Sequence, residues 1–289
     1  MAVGEALPGA ALPKLTVIVL AFNHEDTIAA ALDSILSQKT SHAYCIWLCE
    51  DHSSDQTLSV CRDYASRYPE HITLIAQPTN TGVGHLRAAL ERVTTPYLAV
   101  LDGDDTWCDD EKIQIALDTL EQRREYTTFA HDTWYTDTRT KSRRSLMHDV
   151  HKLDRAEQHF ELSSAPYLHM SARIHRNVVD FKSVPKDIKI FDIHLFYLYL
   201  DQGPLYYEDR PMSVYNITGQ GMWSKLADTK RQKHHAFAYF TLNRTLGYKH
   251  DAFFTSKISR RALPAIKKLA GIRLGWNAYL LLRFRTLRY

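Results

Sequence analysis

YLAVLDGDDTW, residues 97–107, decides how the rest of the chain is read. Five apolar residues (Tyr97, Leu98, Ala99, Val100 and Leu101) run directly into Asp102, Asp104 and Asp105, with Gly103 alone between the first two acids. Like charges this close raise one another's pKa, so a buried strand that ends in them is costly unless a positive charge sits there. A magnesium- or manganese-type cation is one answer, because such ions take oxygen ligands, often one or two carboxylates plus the phosphates of a substrate. An acidic Asp/Gly turn capping the next helix is the other. The stretch alone leaves both open, so its surroundings matter.

Upstream, the same arrangement recurs. Residues 15–20 (LTVIVL) form a short apolar run rich in β-branched side chains, the pattern of a strand buried on both faces. Polar residues 23–26 follow, and Ile28, Ala31, Leu32, Ile35 and Leu36 then repeat with helical spacing. YCIWLC (44–49) ends in Glu50, Asp51, His52, Ser53, Ser54 and Asp55, and Leu58, Cys61 and Ala65 mark the next helix. Residues 72–76 give a third strand, NTGVG (80–84) a glycine-bearing turn, and Leu86, Ala89, Leu90 and Val93 a third helix. Ile113, Leu117 and Leu120 mark a fourth helix after the opening stretch. Strands alternating with helices predict an α/β fold, a mainly parallel central sheet with helices on both faces. Ligands of such sheets bind beyond the carboxyl ends of the strands. All four polar clusters lie at such ends, which favours a site over an ordinary turn.

Composition agrees with a globular protein: 289 residues, 45% hydrophobic and 24% charged. The net charge of +3 is unevenly spread. Residues 257–289 hold nine of the 36 basic residues and none of the 33 acidic ones, leaving the remainder at about −6. A body handling its ligand through a metal, with a basic tail meeting something anionic, fits that asymmetry. The four cysteines have neither zinc-ligand spacing nor the look of a disulfide framework, which suits a reducing compartment. No apolar run reaches eighteen residues. The first thirteen residues read as a flexible leader, not a signal peptide.

AFNHEDTIAAALDSILSQ, CEDHSSDQT, NTGVG and LDGDDTW, in that order and spacing, resemble the successive signatures of the inverting, nucleotide-sugar-dependent glycosyltransferases of family 2, which have the GT-A fold. The resemblance is close over residues 15–112 and weaker to about 225. It implies that Asp51 holds the nucleoside, a uracil-type base or its ribose. Phe22, Asn23, Glu25, Ser53, Asn80, Gly82 and Gly103 are expected to line the donor pocket. Asp104 would be the direct ligand of a Mn2+ or Mg2+ ion bridging the diphosphate, Asp102 would reach the ribose or the metal, and Asp105 would face the sugar or brace the turn. His52 stands where the family has glycine.

Beyond residue 122 the pattern changes. Residues 126–135 and 205–217 read as strands, with a basic loop (139–144) after the first. His131, His169 and His175 attract attention as metal ligands, but fifteen histidines are scattered through the chain, so each reads first as a core or surface residue. In KIFDIHLFYLYLDQG (189–203), Phe191, Leu195, Leu198 and Tyr199 are spaced for a helix with Asp192 at its head. An N-cap is one role for that Asp. The resemblance implies another, the general base that inversion needs, with Asp187 as the alternative. SVYNITGQGMWSK (213–225) is similar to the family segment that closes over the diphosphate. It would bring Trp223 to the donor, but it carries Thr218 where many relatives have a histidine. Water, the diphosphate or His169 would then complete the metal's coordination.

The expected organisation is a leader (1–13), a nucleotide-sugar-binding half (14–125), an acceptor-binding and catalytic half (126–225) and a basic, mostly helical extension (226–289). Pro264 fits the first turn of a helix there, and Trp276 and Tyr279 among bases suit an anionic membrane surface or a helix packed on the body. The resemblance implies a UDP-sugar donor, a glycan or lipid-linked acceptor as in lipopolysaccharide or capsule synthesis, and a cytoplasmic protein peripheral to the plasma membrane; no nucleic-acid motif is present. Two rivals remain. A nucleotidyltransferase would carry a Gly-rich, basic triphosphate loop after the first strand, which LAFNHEDT (20–27) lacks. A non-catalytic glycan- or nucleotide-binding module would explain His52 and Thr218 but not the intact acid set.

Overall fold

The computed structural model describes residues 12–137, 139–151, 158–188, 190, 192–217 and 226–270. The chain divides into two compact units, Met1–Thr218 and Gly219–Tyr289.

The first unit is a mixed α/β fold on one sheet. In chain order its elements are β1 (Leu15–Ala21), α1 (Ile28–Leu36), β2 (Tyr44–Glu50), α2 (Thr57–Arg67), β3 (Ile72–Ala76), α3 (Val83–Leu90), β4 (Tyr97–Asp102) and β5 (Thr106–Trp107). There follow α4 (Lys112–Gln122), β6 (Thr128–Asp137), β7 (Ser142–Ser145), β8 (His159–Phe160), β9 (Arg173–Arg176), α5 (Asp192–Gln202) and β10 (Leu205–Ile217). The strands lie in the order β3-β2-β1-β4-β9-β6-β10-β5, with β7 on β6 and β8 on β10.

β3, β2, β1 and β4 pair in parallel, as their unbroken apolar runs predict. Residues 15–19 of β1 and 97–101 of β4 are buried throughout, so both faces are covered. The register sets Leu20 beside both Cys49 and Asp102, and Ala21 beside Glu50. Three strands therefore deliver their polar ends to one edge. Beneath it, Ile28, Leu32, Ile35, Ile113, Leu117 and Leu120 of α1 and α4 join the core with Val17, Leu48 and Leu101.

One feature adds to the sequence reading and one corrects it. PYLHMSARIHR yields a short helical turn at Met170–Ala172 and then β9, which pairs antiparallel with both β4 and β6. The segment is a mixture of apolar and polar residues, yet Arg173 and His175 are buried; pairing on both sides overrides composition. In the second unit, α6 (Asp228–Thr245) and α7 (Asp251–Ala270) form a hairpin. It is held by Tyr239 against Phe254 (6.3 Å between centroids) and a 2.8 Å bond from Asn243 Nδ2 to Asp251 Oδ1. Helix α7 starts thirteen residues before Pro264, so Pro264 is interior to it and not in its first turn; the ring there removes one main-chain bond.

Among the described residues no helix is long and apolar enough to cross a membrane. The expectations for the leader up to residue 11, for Phe191, Thr218 and Trp223, and for the tail from residue 271 lie outside the described residues.

Candidate active site

The loops after β1 and β2 are knitted together by the residues singled out from the sequence. Asn23 Oδ1 accepts from Ser54 N at 2.9 Å, and Asn23 N donates to Ser53 Oγ at 3.0 Å. Glu25 Oε2 accepts from Gln56 N at 2.8 Å, while Asp55 takes the amides of Glu25 and Thr57. Glu50, fully buried, receives the N–H groups of His52 and Ser53. These bonds explain how His52 replaces glycine: it adopts φ +60°, a left-handed conformation costing about 1–2 kcal/mol in an L-residue, and the bonds from His52 N and Ser53 N to Glu50 hold it there.

Asp51 is 6% exposed and grips the third loop. Its Oδ1 accepts from Thr81 N and Thr81 Oγ1, both at 2.8 Å, and its Oδ2 from Gly82 N at 2.7 Å. Gly82 has φ +56°, which glycine adopts without steric penalty. Three of the four carboxylate lone pairs are thus used on the loop and one remains. Phe22 (43% exposed) and Asn80 stand exposed at the same edge.

The 102–105 turn completes that edge. Asp105 N donates to Asp102 O at 3.0 Å, and Gly103 N donates to Leu20 O at 2.8 Å. A Cβ on Gly103 would stand 2.6 Å from His24 Nδ1, 2.9 Å from Ile28 Cδ1 and 3.0 Å from the Leu20 carbonyl oxygen. Gly103→Ala is therefore expected to lower unfolding free energy by about 1–3 kcal/mol in urea titration, the usual cost of overpacking; an unchanged midpoint would mean that the turn yields freely.

Asp105 is fully buried. Its Oδ1 accepts from Asn216 N at 3.2 Å, while Oδ2 has no hydrogen-bond partner. Asn216 also donates Nδ2 to Asp104 O at 2.8 Å, so the end of β10 clasps the turn. Burial first, then the charges of Asp104 and Asp192, raises Asp102 to about 8. Burial, then Asp102 and Asp104, holds Asp105 well above the ordinary carboxylate range. Asp104 is 22% exposed, with His24 Nε2 4.0 Å from its Oδ2.

His169 joins this cluster. Among the described residues, ligand atoms of Asp102, Asp105 and His169 all lie within 4.8 Å of one another. His169 Nδ1 is 3.5 Å from Asp105 Oδ2 and 2.8 Å from Ser171 Oγ, and its ring packs 4.4 Å from that of Tyr215. Burial lowers its pKa to about 4, leaving the neutral imidazole that ligates metals. His131 and His175 belong to the core: His131 Nδ1 meets Asp132 O at 2.6 Å, and His175 stacks on Tyr199 at 3.9 Å.

Asp192 opens α5. Its Oδ1 accepts from Ile193 N at 2.6 Å and its Oδ2 from the Tyr167 hydroxyl, and its charge reaches Asp102, Tyr135 and Tyr215. Asp187 is exposed on the preceding turn. Tyr167, Ser171, Arg173 and Asn216 were not singled out from the sequence; only their nearness to His169 and to the end of the 205–217 strand hinted at them.

An α/β sheet with acids and a glycine-bearing loop at the carboxyl ends of its parallel strands defines a class of protein that binds ligands at that edge. The profile described as Glycosyl transferase family 2 matches residues 16–181, more than half of the chain, and the chain belongs to that family. It is 27% identical over 241 residues to EpsE of Bacillus subtilis (strain 168), covering 82% of this chain and 81% of that one. An uncharacterized protein of Mycobacterium tuberculosis (strain ATCC 25618 / H37Rv) is 25% identical over 229 residues, 76% of this chain and 63% of its own length. The chain thus spans under two thirds of some curated relatives. Among solved structures, S. aureus TarS 1-349 in complex with UDP-GlcNAc superposes with a TM-score of 0.64 at 15% identity, covering 88% of this chain and 73% of that one. The mannosyltransferase PcManGT from Pyrobaculum calidifontis, in complex with GDP-Man and Mn2+, gives 0.60 at 18% identity, covering 95% and 80%. The fold is that of the GT-A glycosyltransferases.

Proposed function

We propose that the chain is an inverting glycosyltransferase that moves a sugar from a nucleoside diphosphate donor, a UDP-sugar, to a hydroxyl of a glycan or lipid-linked acceptor. The observation that carries this reading is the cluster of Asp102, Asp105 and His169 at the strand ends, with an orphaned Asp105 oxygen and with the Asp192 charge within reach.

Those donors fit a divalent cation. Carboxylate oxygens with one imidazole suit manganese or magnesium, and Asp105 Oδ2 needs a positive partner. Asp102 and Asp104 would hold the ion, with His169 as the third contact where Thr218 replaces the family's histidine, and the ion's charge would offset that of the orphaned Asp105 oxygen. When bound, the cation supplies charge stabilisation for the diphosphate, worth several kcal/mol. Asp51, Ser53, Asn80 and Gly82 would cradle the nucleoside, with Phe22 against its base.

Asp192 accepts the proton of the acceptor hydroxyl. That oxygen's electron pair forms the new bond to the anomeric carbon on the face opposite the diphosphate. The anomeric carbon–oxygen bond breaks as its electrons pass to the departing diphosphate, and the configuration inverts.

A thermal-shift panel of UDP- and GDP-sugars, each with and without manganese, tests the reading. UDP-sugars are expected to raise the melting temperature only with the metal. No shift with any nucleotide sugar would favour a scaffold that has lost the activity.

A further inference from the structure

Residues 167–173 place a site-facing group at every second position. Tyr167 donates its hydroxyl to Asp192 Oδ2. His169 stands 3.5 Å from Asp105, and Ser171 Oγ is 2.8 Å from His169 Nδ1. Arg173 Nη2 reaches the main-chain oxygen of Asp192 at 3.4 Å. One short segment therefore touches both the acid cluster and the head of α5.

Its hold on α5 has two points. Phe196 lies four residues after Asp192, on the same helix face. The Tyr167 ring meets the Phe196 ring edge-on at 5.8 Å, and the Arg173 guanidinium sits 5.0 Å from the centroid of the same ring. Arg173 is fully buried, and its Nε and Nη1 have no hydrogen-bond partner. A buried cation with unsatisfied donors is costly and calls for a role beyond packing. Burial disfavours its charge, and Tyr167, Asp192 and Tyr199 oppose that effect.

We propose that Tyr167 and Arg173 are positioning residues for Asp192. The phenol fixes the carboxylate in one orientation, and the guanidinium anchors the helix end that carries it. This rests on Asp192 being the base. Asp192 Oδ1 is curled onto its own helix at Ile193 N, and that single bond leaves the carboxylate free to swing. The Tyr167 hydroxyl closes the second oxygen. Each oxygen keeps one lone pair, and the acceptor proton is taken there. Arg173 also sets a positive charge behind a site that holds four carboxylates.

The test is a double-mutant comparison on the full chain. Turnover is read as nucleoside diphosphate released from UDP-N-acetylglucosamine and from GDP-mannose with manganese, water serving as acceptor; binding is read by calorimetry with UDP and manganese. Tyr167→Phe keeps the ring on Phe196 and is expected to lower turnover about 10–100-fold, the scale of a misplaced group, with UDP affinity unchanged. In the Asp192→Asn background the same change is expected to cost less than about twofold, because the group it positions is gone. Arg173→Lys, which retains the charge, is expected to lower turnover and to show the same loss of effect in that background. Equal losses in both backgrounds would make the two residues structural and overturn the proposal, as would full turnover of Tyr167→Phe. If Asp192→Asn itself turns over like the wild type, the base assignment fails first, and the positioning role falls with it.

Discussion

Asp192→Asn is expected to retain nucleotide binding and to lose about 10² to 10⁴ in turnover, the usual contribution of a general base. The substitution is nearly isosteric. The asparagine oxygen can still accept from Ile193 N, so the start of α5 keeps its local bond. What disappears is the second carboxylate oxygen, which the Tyr167 hydroxyl now meets. An amide cannot take the acceptor's proton, so the loss is expected to fall on chemistry and to spare the proposed nucleoside contacts Asp51, Ser53, Asn80 and Gly82, which lie on the loops after β2 and β3. Single-turnover measurement with saturating donor, beside calorimetry for UDP, separates the two. Near wild-type turnover would move the base elsewhere, Asp187 being the first place to look.

Asp104→Ala is expected to remove the manganese-dependent part of UDP affinity. The loss should exceed about 10²-fold, since even outer partners of a metal ligand cost 10–100-fold. Among the three acids of the turn, Asp105 is buried and tied to Asn216, whereas Asp102, which closes β4, and Asp104 are both partly exposed; the charge of Asp104 reaches both neighbours. Its main-chain oxygen, not its carboxylate, takes the Asn216 amide, so the turn keeps that clasp in the variant. Removing one negative charge also relieves Asp102 and Asp105, so the apo protein should not lose stability. UDP affinity that is the same with and without manganese in wild type and variant alike would remove the metal role. A manganese effect in the variant equal to that of the wild type would assign the ion to Asp102, Asp105 and His169.

The sequence by itself determined the four parallel strands and what stands at their ends. Apolar runs such as LTVIVL and YLAVL are legible because a strand covered on both faces must be apolar throughout, and the polar residues that follow it in the chain necessarily emerge at its carboxyl end. Asn23, Asp51, Gly82 and the 102–105 acids were found in this way, each from its own neighbours. Only the tertiary structure decided that His169, among fifteen histidines, meets Asp105, that Tyr167 meets Asp192, and that Asn216 clasps the turn. Those contacts depend on β9 entering antiparallel between β4 and β6, and on β10 shifting register around Pro211 before it reaches Asp105. Pairings between strands tens of residues apart leave no periodic trace in the chain. Arg173 and His175 show this most directly: the sequence leaves His175 as a core or surface residue and gives Arg173 no role, and both become core because strands close over them on both sides.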